Sequence, residues 1–204
     1  MTEREVLFTG VGGQGIQIVS KALAMAAVSE DRTVLLVPRY GGVMRGGKTN
    51  AELTVGDGSL RALPVATGAW SGVAMDQSYW ETIRPHLADG ALVVINADLF
   101  HLPVDVPGAQ VVKVAATRIA DGIGSPMSAG FALLGAYIAL TGLVRPESVA
   151  AAMEQLIPAY RRQHLTANQR ALEAGARAVP ALAVPAWPES PAGASAPRPR
   201  QEAR

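Results

Sequence analysis

The sequence contains no cysteine. Without a thiolate, the 204-residue chain forms no disulfide bond, offers no cysteine nucleophile, and ligates neither a zinc–thiolate site nor an iron–sulfur cluster. A redox centre of these kinds must therefore be supplied by another molecule.

Charge is scarce and nearly balanced, with 18 Lys+Arg against 17 Asp+Glu and a formal net charge of +1. No overall field exists to hold a polyanion, so we expect no nucleic-acid partner. The N-terminus lacks the basic and then apolar pattern of a secretory signal, which together with the absence of cysteine favours a cytoplasmic location.

Aromatic residues make up only 5% of the chain against 49% hydrophobic residues, so the core is built from small aliphatic side chains that suit helices packed on a sheet. The uncharged stretch 123–144 has the length of a membrane span. It begins with turn-forming residues, however, and its dense apolar part runs only from Phe131 to Leu140. We therefore predict a buried helix and no membrane association.

Short apolar runs between glycine-rich turns predict a three-layer α/β fold with a mostly parallel sheet. A strand at 5–9, a glycine loop and a helix from Ile16 form a Rossmann-like start. The β-branched and leucine run 33–37, which ends at Pro38, predicts a strand buried in the parallel part of the sheet. Residues 49–55 and 59–63, separated by Gly-Asp-Gly, predict a hairpin at the sheet edge.

Further runs at 72–75, 91–95 and 110–115 extend the predicted sheet, with a helix at 78–87 between the first two. Pro146 opens a C-terminal helix, and a capping box at Thr166 opens another that ends near Arg177. We predict one α/β domain over residues 1–177. Residues 178–204 hold six prolines and eight alanines without periodicity, which predicts a tail that is disordered or lies on a partner.

The first candidate site is the glycine loop that follows the first strand. Its residues are Gly10, Gly12, Gly13, Gln14 and Gly15, in a G-x-G-x-x-G pattern that can hold a phosphate at a helix N-terminus. The second strand ends in Val-Pro-Arg and lacks the acid that binds the ribose of NAD, which disfavours NAD. NADP and coenzyme A remain open, and so does a purely structural turn that lets main chains approach closely.

The second candidate site is a glycine-rich loop with three cations at the expected ligand-binding rim of the sheet. Its candidate binding residues are Arg39, Tyr40, Arg45, Gly46, Gly47 and Lys48. The cations can contact an anion or can form ion pairs that stiffen the loop, and the sequence leaves both interpretations open.

No residue is predicted to be catalytic or to bind a metal. The three histidines, His86, His101 and His164, are far apart and have no carboxylate at metal-ligand spacing. The sequence also contains no nucleophile elbow, zincin helix or P-loop. We therefore expect that the chain does not catalyse a reaction by itself.

Six motifs in order resemble the gamma subunit of 2-oxoacid:ferredoxin oxidoreductases over about residues 4–177. They are G-x-G-G-Q-G at 10–15, Tyr-Gly-x-x-x-Arg-Gly-Gly at 40–47 followed by Asn50, Leu-Pro-Val at 63–65, Met-Asp-Gln-Ser at 75–78, Leu-Gly-Ala at 134–136 and Asn-x-x-Ala-Leu-x-x-Gly at 168–175. The combination of the two glycine loops is specific, although either loop alone is a weak signal.

This resemblance implies a share in the thiamine-diphosphate-dependent oxidative decarboxylation of a 2-oxoacid to its acyl-CoA, with electrons passing to ferredoxin. It places thiamine diphosphate, magnesium and the iron–sulfur clusters on alpha, beta and ferredoxin-like partner subunits, with no cofactor bound by this chain alone. It also suggests that Arg39, Arg45 and Lys48 contact the phosphates of coenzyme A.

The sequence departs from the family pattern at two places. Gly42 and Val43 replace the usual Pro-Glu after the Tyr-Gly pair, and the asparagine that the family has before the Leu-Gly-Ala helix is missing around Ser128. These departures leave the exact reaction open among the pyruvate, 2-oxoglutarate, branched-chain and indolepyruvate types. Two alternatives to a required, non-catalytic subunit also stay open, namely a stand-alone NADP-dependent oxidoreductase and a pure scaffold.

Overall fold

A computed structural model describes residues 2–41, 46–61 and 68–187, and these form a six-stranded sheet with helices. The strands are β1 (Glu3–Val11), β2 (Thr33–Tyr40), β3 (Lys48–Gly56), β4 (Ala69–Ala74), β5 (Leu87–Asn96) and β6 (Gln110–Val114), and their order in the sheet is β2-β3-β1-β4-β5-β6.

Five α-helices and four short 3-10 helices connect and cover these strands. The α-helices are α1 (Ile16–Ser29), α2 (Ala116–Ile123), α3 (Ala129–Thr141), α4 (Pro146–Leu156) and α5 (Leu165–Arg177). The 3-10 helices are Gln77–Thr82, Arg84–His86, Pro126–Ser128 and Ala159–His164.

The sheet has a parallel part and an antiparallel edge. Strands β1, β4, β5 and β6 are parallel neighbours, whereas β3 is antiparallel to both β1 and β2. The predicted mostly parallel α/β fold with a Rossmann-like start and C-terminal helices is therefore confirmed.

The predicted position of the second strand is wrong. Strand β2 continues through Pro38 to Tyr40 and forms the antiparallel edge of the sheet instead of a buried parallel strand. A proline is tolerated there because its missing N–H can face away from the ladder of an edge strand. The edge hairpin consists of β2 and β3, and residues 59–61 form no strand, while residues 62 and 63 lie outside the described part of the chain.

Different elements pack on the two faces of the sheet. Side chains alternate along β1, so Val6 and Phe8 lie in the large core cluster with the α-helices, whereas Leu7 joins a smaller cluster on the opposite face. Trp80, in the first 3-10 helix, belongs to the smaller cluster and contacts Phe100 edge to face. The third layer thus consists of 3-10 helices and a connecting segment.

The structure does not contain the α-helix predicted at residues 78–87. The chain there forms two 3-10 helices, because Tyr79 has non-helical dihedral angles and Pro85 restricts the residue before it. Similarly, α5 begins at Leu165, one residue before the predicted cap at Thr166, and no side chain caps it.

Helix α3 is the centre of the fold, and every residue except Ala139 is buried. Helix α3 includes the dense apolar part of the uncharged stretch 123–144, as predicted for a buried helix. In the described ranges no helix is long and apolar enough to cross a bilayer. Gly135 in α3 and Gly175 in α5 allow these helices to approach closely. A Cβ on Gly135 would lie 1.9 Å from the carbonyl oxygen of Leu172, and one on Gly175 would lie 1.8 Å from that of Ala132.

The first ten residues of the predicted tail also differ from expectation. Residues 178–187 lie on the domain itself, where main-chain N–H groups of Leu182, Val184 and Ala186 donate to carbonyl oxygens of α3. Residues 188–204 lie outside the described part of the chain. For those residues the tail stays a prediction.

Candidate functional site

The first glycine loop, residues 10–15, connects the carboxyl end of β1 to the N-terminus of α1. The N–H of Gln14 donates to the carbonyl oxygen of Val11 at 3.0 Å, and the N–H of Val11 donates to Gln14 Oε1 at 2.8 Å. Gly15 has a φ of 80° immediately before the helix, in the left-handed region that favours glycine. The loop is therefore closed by its own glutamine.

The described end of the second glycine loop, Gly46 and Gly47, lies directly against the first loop. The N–H of Gly12 donates to the carbonyl oxygen of Gly47 at 2.8 Å. A Cβ on Gly12 would lie 3.3 Å from the main-chain nitrogen of Gly46, so close that the neighbouring loop would have to shift by a few tenths of an ångström. The hydroxyl of Tyr79 also donates to the carbonyl oxygen of Gly46, at 3.3 Å. The absence of a Cβ on Gly12 allows this close contact, and the two loops thereby form one surface.

A side-chain bridge links the first loop to the end of β4. Gln14 Nε2 donates to Asp76 Oδ2 at 3.2 Å, while Asp76 Oδ1 accepts from the main-chain N–H of Ser78 at 2.8 Å and from its hydroxyl at 2.6 Å. Asp76 thus caps the first 3-10 helix and orients the glutamine that closes the loop.

A buried polar network lies behind the contact of the loops. The hydroxyl of Thr9 donates to Asn50 Oδ1 at 2.9 Å, and Asn50 Nδ2 donates to the Thr82 hydroxyl at 2.7 Å. Gln17 Nε2 in α1 donates to the carbonyl oxygen of Asn50 at 2.7 Å. These bonds connect β1, β3, α1 and the 3-10 helix, so a buried polar group that would otherwise be costly holds four elements in register.

The N-terminus of α1 carries no side-chain cap and has no acidic residue in its first turn. In contrast, the N-terminus of α2 is satisfied from outside the helix, because Asn96 Oδ1 accepts from Ala116 and Asp98 Oδ2 accepts from Arg118. The N–H groups of α1 therefore keep the partial positive charge of a helix terminus.

A cavity of about 310 Å³ opens beside the loops, on the face of the hairpin opposite α1. It is lined by Leu7, Arg39, Lys48, Asn50, Glu52, Thr82, Ile83 and His86. Arg39 Nε donates to Glu52 Oε1, and the other carboxylate oxygen of Glu52 is buried without a hydrogen-bond partner among the described residues. Lys48 forms no ion pair within the same part of the chain.

A family model described as pyruvate ferredoxin/flavodoxin oxidoreductase matches residues 5–178. The chain belongs to this family. It is 32% identical to the pyruvate/ketoisovalerate oxidoreductases common subunit gamma of Thermococcus kodakarensis over 159 residues, which are 74% of this chain and 85% of the relative. The resemblance inferred from the six motifs is therefore confirmed.

Solved structures of the family share the fold. The keto/oxoacid ferredoxin oxidoreductase gamma subunit from Geobacter sulfurreducens superimposes with a TM-score of 0.71 at 25% identity, over 85% of this chain and 96% of that chain. The 2-oxoglutarate:ferredoxin oxidoreductase from Magnetococcus marinus, with 2-oxoglutarate, coenzyme A and succinyl-CoA bound, superimposes with a TM-score of 0.78 at 17% identity, over 90% of this chain and 31% of that chain.

In this member of the oxidoreductase family, the structure brings together most of the predicted site residues in two adjacent places. Gly10, Gly12, Gly13, Gln14, Gly15, Gly46 and Gly47 surround the contact of the loops, whereas Arg39 and Lys48 line the cavity. Tyr40 is the last residue of β2 and pairs with Thr49. Arg45 lies outside the described residues.

Sequence reasoning missed the roles of Asp76, Tyr79 and Thr82, which fix the loops and Asn50 from the 3-10 helix. The Met-Asp-Gln-Ser motif at 75–78 marked this place, but its spacing gave no contact with Gln14, which is far away in the sequence. The histidines are not gathered, and no group of three metal-ligating side chains occurs within the described ranges.

Proposed function

We propose that the chain is the gamma-type subunit of a cytoplasmic, thiamine-diphosphate-dependent 2-oxoacid:ferredoxin oxidoreductase. The complex oxidatively decarboxylates a 2-oxoacid to its acyl-CoA and passes the electrons to ferredoxin. Thiamine diphosphate, magnesium and the iron–sulfur clusters belong to alpha, beta and ferredoxin-like partners. This chain is required for the complex but is not catalytic alone.

The joined glycine loops carry this proposal. Gly13 and Gly46 have positive φ values, and among the described residues no atom outside the adjacent residues lies within 4 Å of the position that a Cβ would take on either glycine. A surface without side chains allows another main chain or a flat cofactor to approach closely. Because the chain contains no cysteine, it offers no thiolate to an iron–sulfur cluster, and in the proposed complex the clusters lie on companion subunits.

Coenzyme A is the co-substrate that the basic residues fit. Lys48 and Arg39 supply cations at one side of the loops, Arg45 supplies a third in the sequence, and the open N-terminus of α1 favours an anion at the other side. The related enzyme from Magnetococcus marinus was solved with coenzyme A bound. Arg39 already forms an ion pair with Glu52, whereas Lys48 forms none with the described residues. Lys48 is therefore the better candidate of the two to bind a phosphate.

The first experiment compares the purified chain with the complex obtained by co-expression with its genomic neighbours. We expect 2-oxoacid oxidation, measured by ferredoxin or viologen reduction, only in the complex. Turnover by the isolated chain would overturn the proposal.

The second experiment tests the coenzyme A contact in the assembled complex. Lys48→Ala should raise the KM for coenzyme A about 10-fold, as expected for loss of one charge-assisted contact of about 1.4 kcal/mol, while kcat stays within about two-fold. Lys113→Ala, on the opposite edge strand β6, is the matched control and should leave the KM unchanged. An unchanged KM in an assembled Lys48→Ala complex contradicts the contact.

The stand-alone NADP-dependent alternative is not supported by the relatives, which are named as subunits of oxidoreductases. Arg39, the residue that would bind the ribose phosphate, is paired with Glu52. Micromolar binding of NADPH by the isolated chain, measured by calorimetry, would restore this alternative.

A further inference from the structure

The C-terminal end of α3 presents a problem of hydrogen bonding. The last four carbonyl groups of an α-helix have no partner inside the helix. In α3, the carbonyl oxygen of Ile138 accepts from the N–H of Gly142 at 2.7 Å, which leaves those of Ala139, Leu140 and Thr141. Leu140 and Thr141 are almost completely buried, so solvent does not solve the problem.

Residues 178–187, which we name the strap, supply the missing donors. The N–H groups of Leu182, Val184 and Ala186 donate to the carbonyl oxygens of Ala139, Leu140 and Thr141 at 2.7, 3.0 and 2.7 Å. From Leu182 to Ala186 every second residue is a donor, although this part of the chain consists of turns and bends and Leu182 has a φ of 51°. The spacing matches one strap donor to each successive carbonyl of the helix end.

The strap is also fastened by side chains at its end. Trp187 Nε1 donates to the carbonyl oxygen of Leu143 at 3.0 Å, and the guanidinium of Arg32 stacks 3.9 Å from the centre of the Trp187 ring. Arg4 Nε donates to the carbonyl oxygen of Ala186 at 2.6 Å, and Ala186 is fully buried. The strap thereby joins the end of α3 to β1 and to the turn between α1 and β2.

We propose that the strap is a C-terminal clasp that caps α3 and ties it to the first strand, so that the cooperative folding unit extends to Trp187. All but the first residue of the strap lie beyond the family match, which ends at residue 178. The other end of α3 contacts the first glycine loop, since a Cβ on Gly130 would lie 3.1 Å from the carbonyl oxygen of Gln14. The clasp therefore holds the helix that supports this loop.

Amide hydrogen exchange on the full chain tests the clasp. The amides of Leu182, Val184 and Ala186 should exchange at least 100-fold more slowly than in an unstructured peptide. Trp187→Ala should speed their exchange about 10-fold or more and lower the thermal midpoint by about 3 to 6 °C. Exchange of these three amides at the rates of a free peptide would overturn the proposal.

Two milder variants keep the test informative if Trp187→Ala fails to fold. Trp187→Phe removes the indole donor but keeps a ring under Arg32, and Arg32→Ala removes the cation. Both should speed exchange in the strap, and the effects of Arg32→Ala and Trp187→Ala should be less than additive, because they break one contact. Arg177→Ala, which removes only an exposed ion pair with Glu173 before the strap, is the control and should change neither measurement. Strictly additive effects, or none, would contradict the fastening.

Discussion

The main-chain N–H of Gly12 donates to the carbonyl oxygen of Gly47, and this one bond joins two loops that belong to different strands. The bond forms because Gly12 has no Cβ to separate it from Gly46. The loops therefore form one surface, and a substitution in either loop should change the conformation of both.

Gly12→Ala should force the loops apart. The added Cβ would lie 3.3 Å from the nitrogen of Gly46 and 3.4 Å from the oxygen of Gly47, so we expect a loss of about 1–3 kcal/mol in the free energy of unfolding. Urea denaturation of the isolated chain measures the loss, and the assembled complex should lose activity.

Gly46→Asn is the matched control on the other loop. Gly46 has a φ of 73°, a conformation that asparagine tolerates, and none of the described residues beyond its chain neighbours comes within 4 Å of its Cβ position. We expect a change below about 1 kcal/mol. A larger loss for Gly46→Asn than for Gly12→Ala would show that close approach is not what the loops require.

Gly135→Ala and Gly175→Ala should each prevent the close crossing of α3 and α5. The new methyl group would overlap a carbonyl oxygen of the facing helix, so the helices must separate, and we expect a loss of about 3 kcal/mol or more, or no soluble protein. Circular dichroism during thermal unfolding measures the effect. Gly122→Ala, in α2 at a position where no described atom outside the helix backbone comes within 4 Å of the new Cβ, should instead stabilise the chain by up to about 1 kcal/mol.

The sequence predicted the parts of the fold that depend on local pattern. The first loop is an example, because a strand, glycines and a helix follow one another within residues 3–29. The motifs at 134–136 and 168–175 marked Gly135 and Gly175, but only the contact of α3 with α5 explains why both are glycine.

The sequence could not predict features that depend on which elements become neighbours. Residues 33–37 have the composition of a buried strand, yet β2 lies at the edge because β3 is inserted between it and β1. Likewise, the proline content of residues 178–187 predicted a disordered or partner-bound tail. It gave no sign that N–H groups of the strap donate to carbonyl oxygens of α3. Gln14 and Asp76 meet only because β1 and β4 are adjacent.

The side chain of Gln14 should stabilise the fold by linking the first loop to Asp76, which follows β4. Gln14→Ala removes both the acceptor for Val11 and the donor for Asp76, and we expect a loss of about 1–2 kcal/mol. Gln14→Glu keeps the acceptor but places a carboxylate against Asp76, so its loss should shrink as salt screens the repulsion. Urea denaturation at low and high salt distinguishes the variants, and a salt-independent loss for Gln14→Glu would exclude this geometry.

Asp98 should give the chain a carboxylate-dependent stability at acid pH. Burial raises the pKa of Asp98, but the hydrogen bonds from the main chain and side chain of Arg118 outweigh burial, and the pKa is lowered. Because the folded pKa lies below the unfolded value of about 3.9, the stabilisation is complete above that pH and is lost as the pH falls through the folded pKa. The same carboxylate caps the N-terminus of α2.

Asp98→Asn should therefore lower the free energy of unfolding by about 1 kcal/mol at pH 7 and by progressively less below about pH 4, because the wild-type carboxylate is then itself protonated. Urea denaturation from pH 7 to pH 3 measures this convergence. Asp105→Asn, at a carboxylate whose side chain is 89% exposed, is the control and should leave the curve unchanged. A difference between wild type and Asp98→Asn that stays constant across this range would mean that Asp98 stabilises α2 through shape and not through its charge.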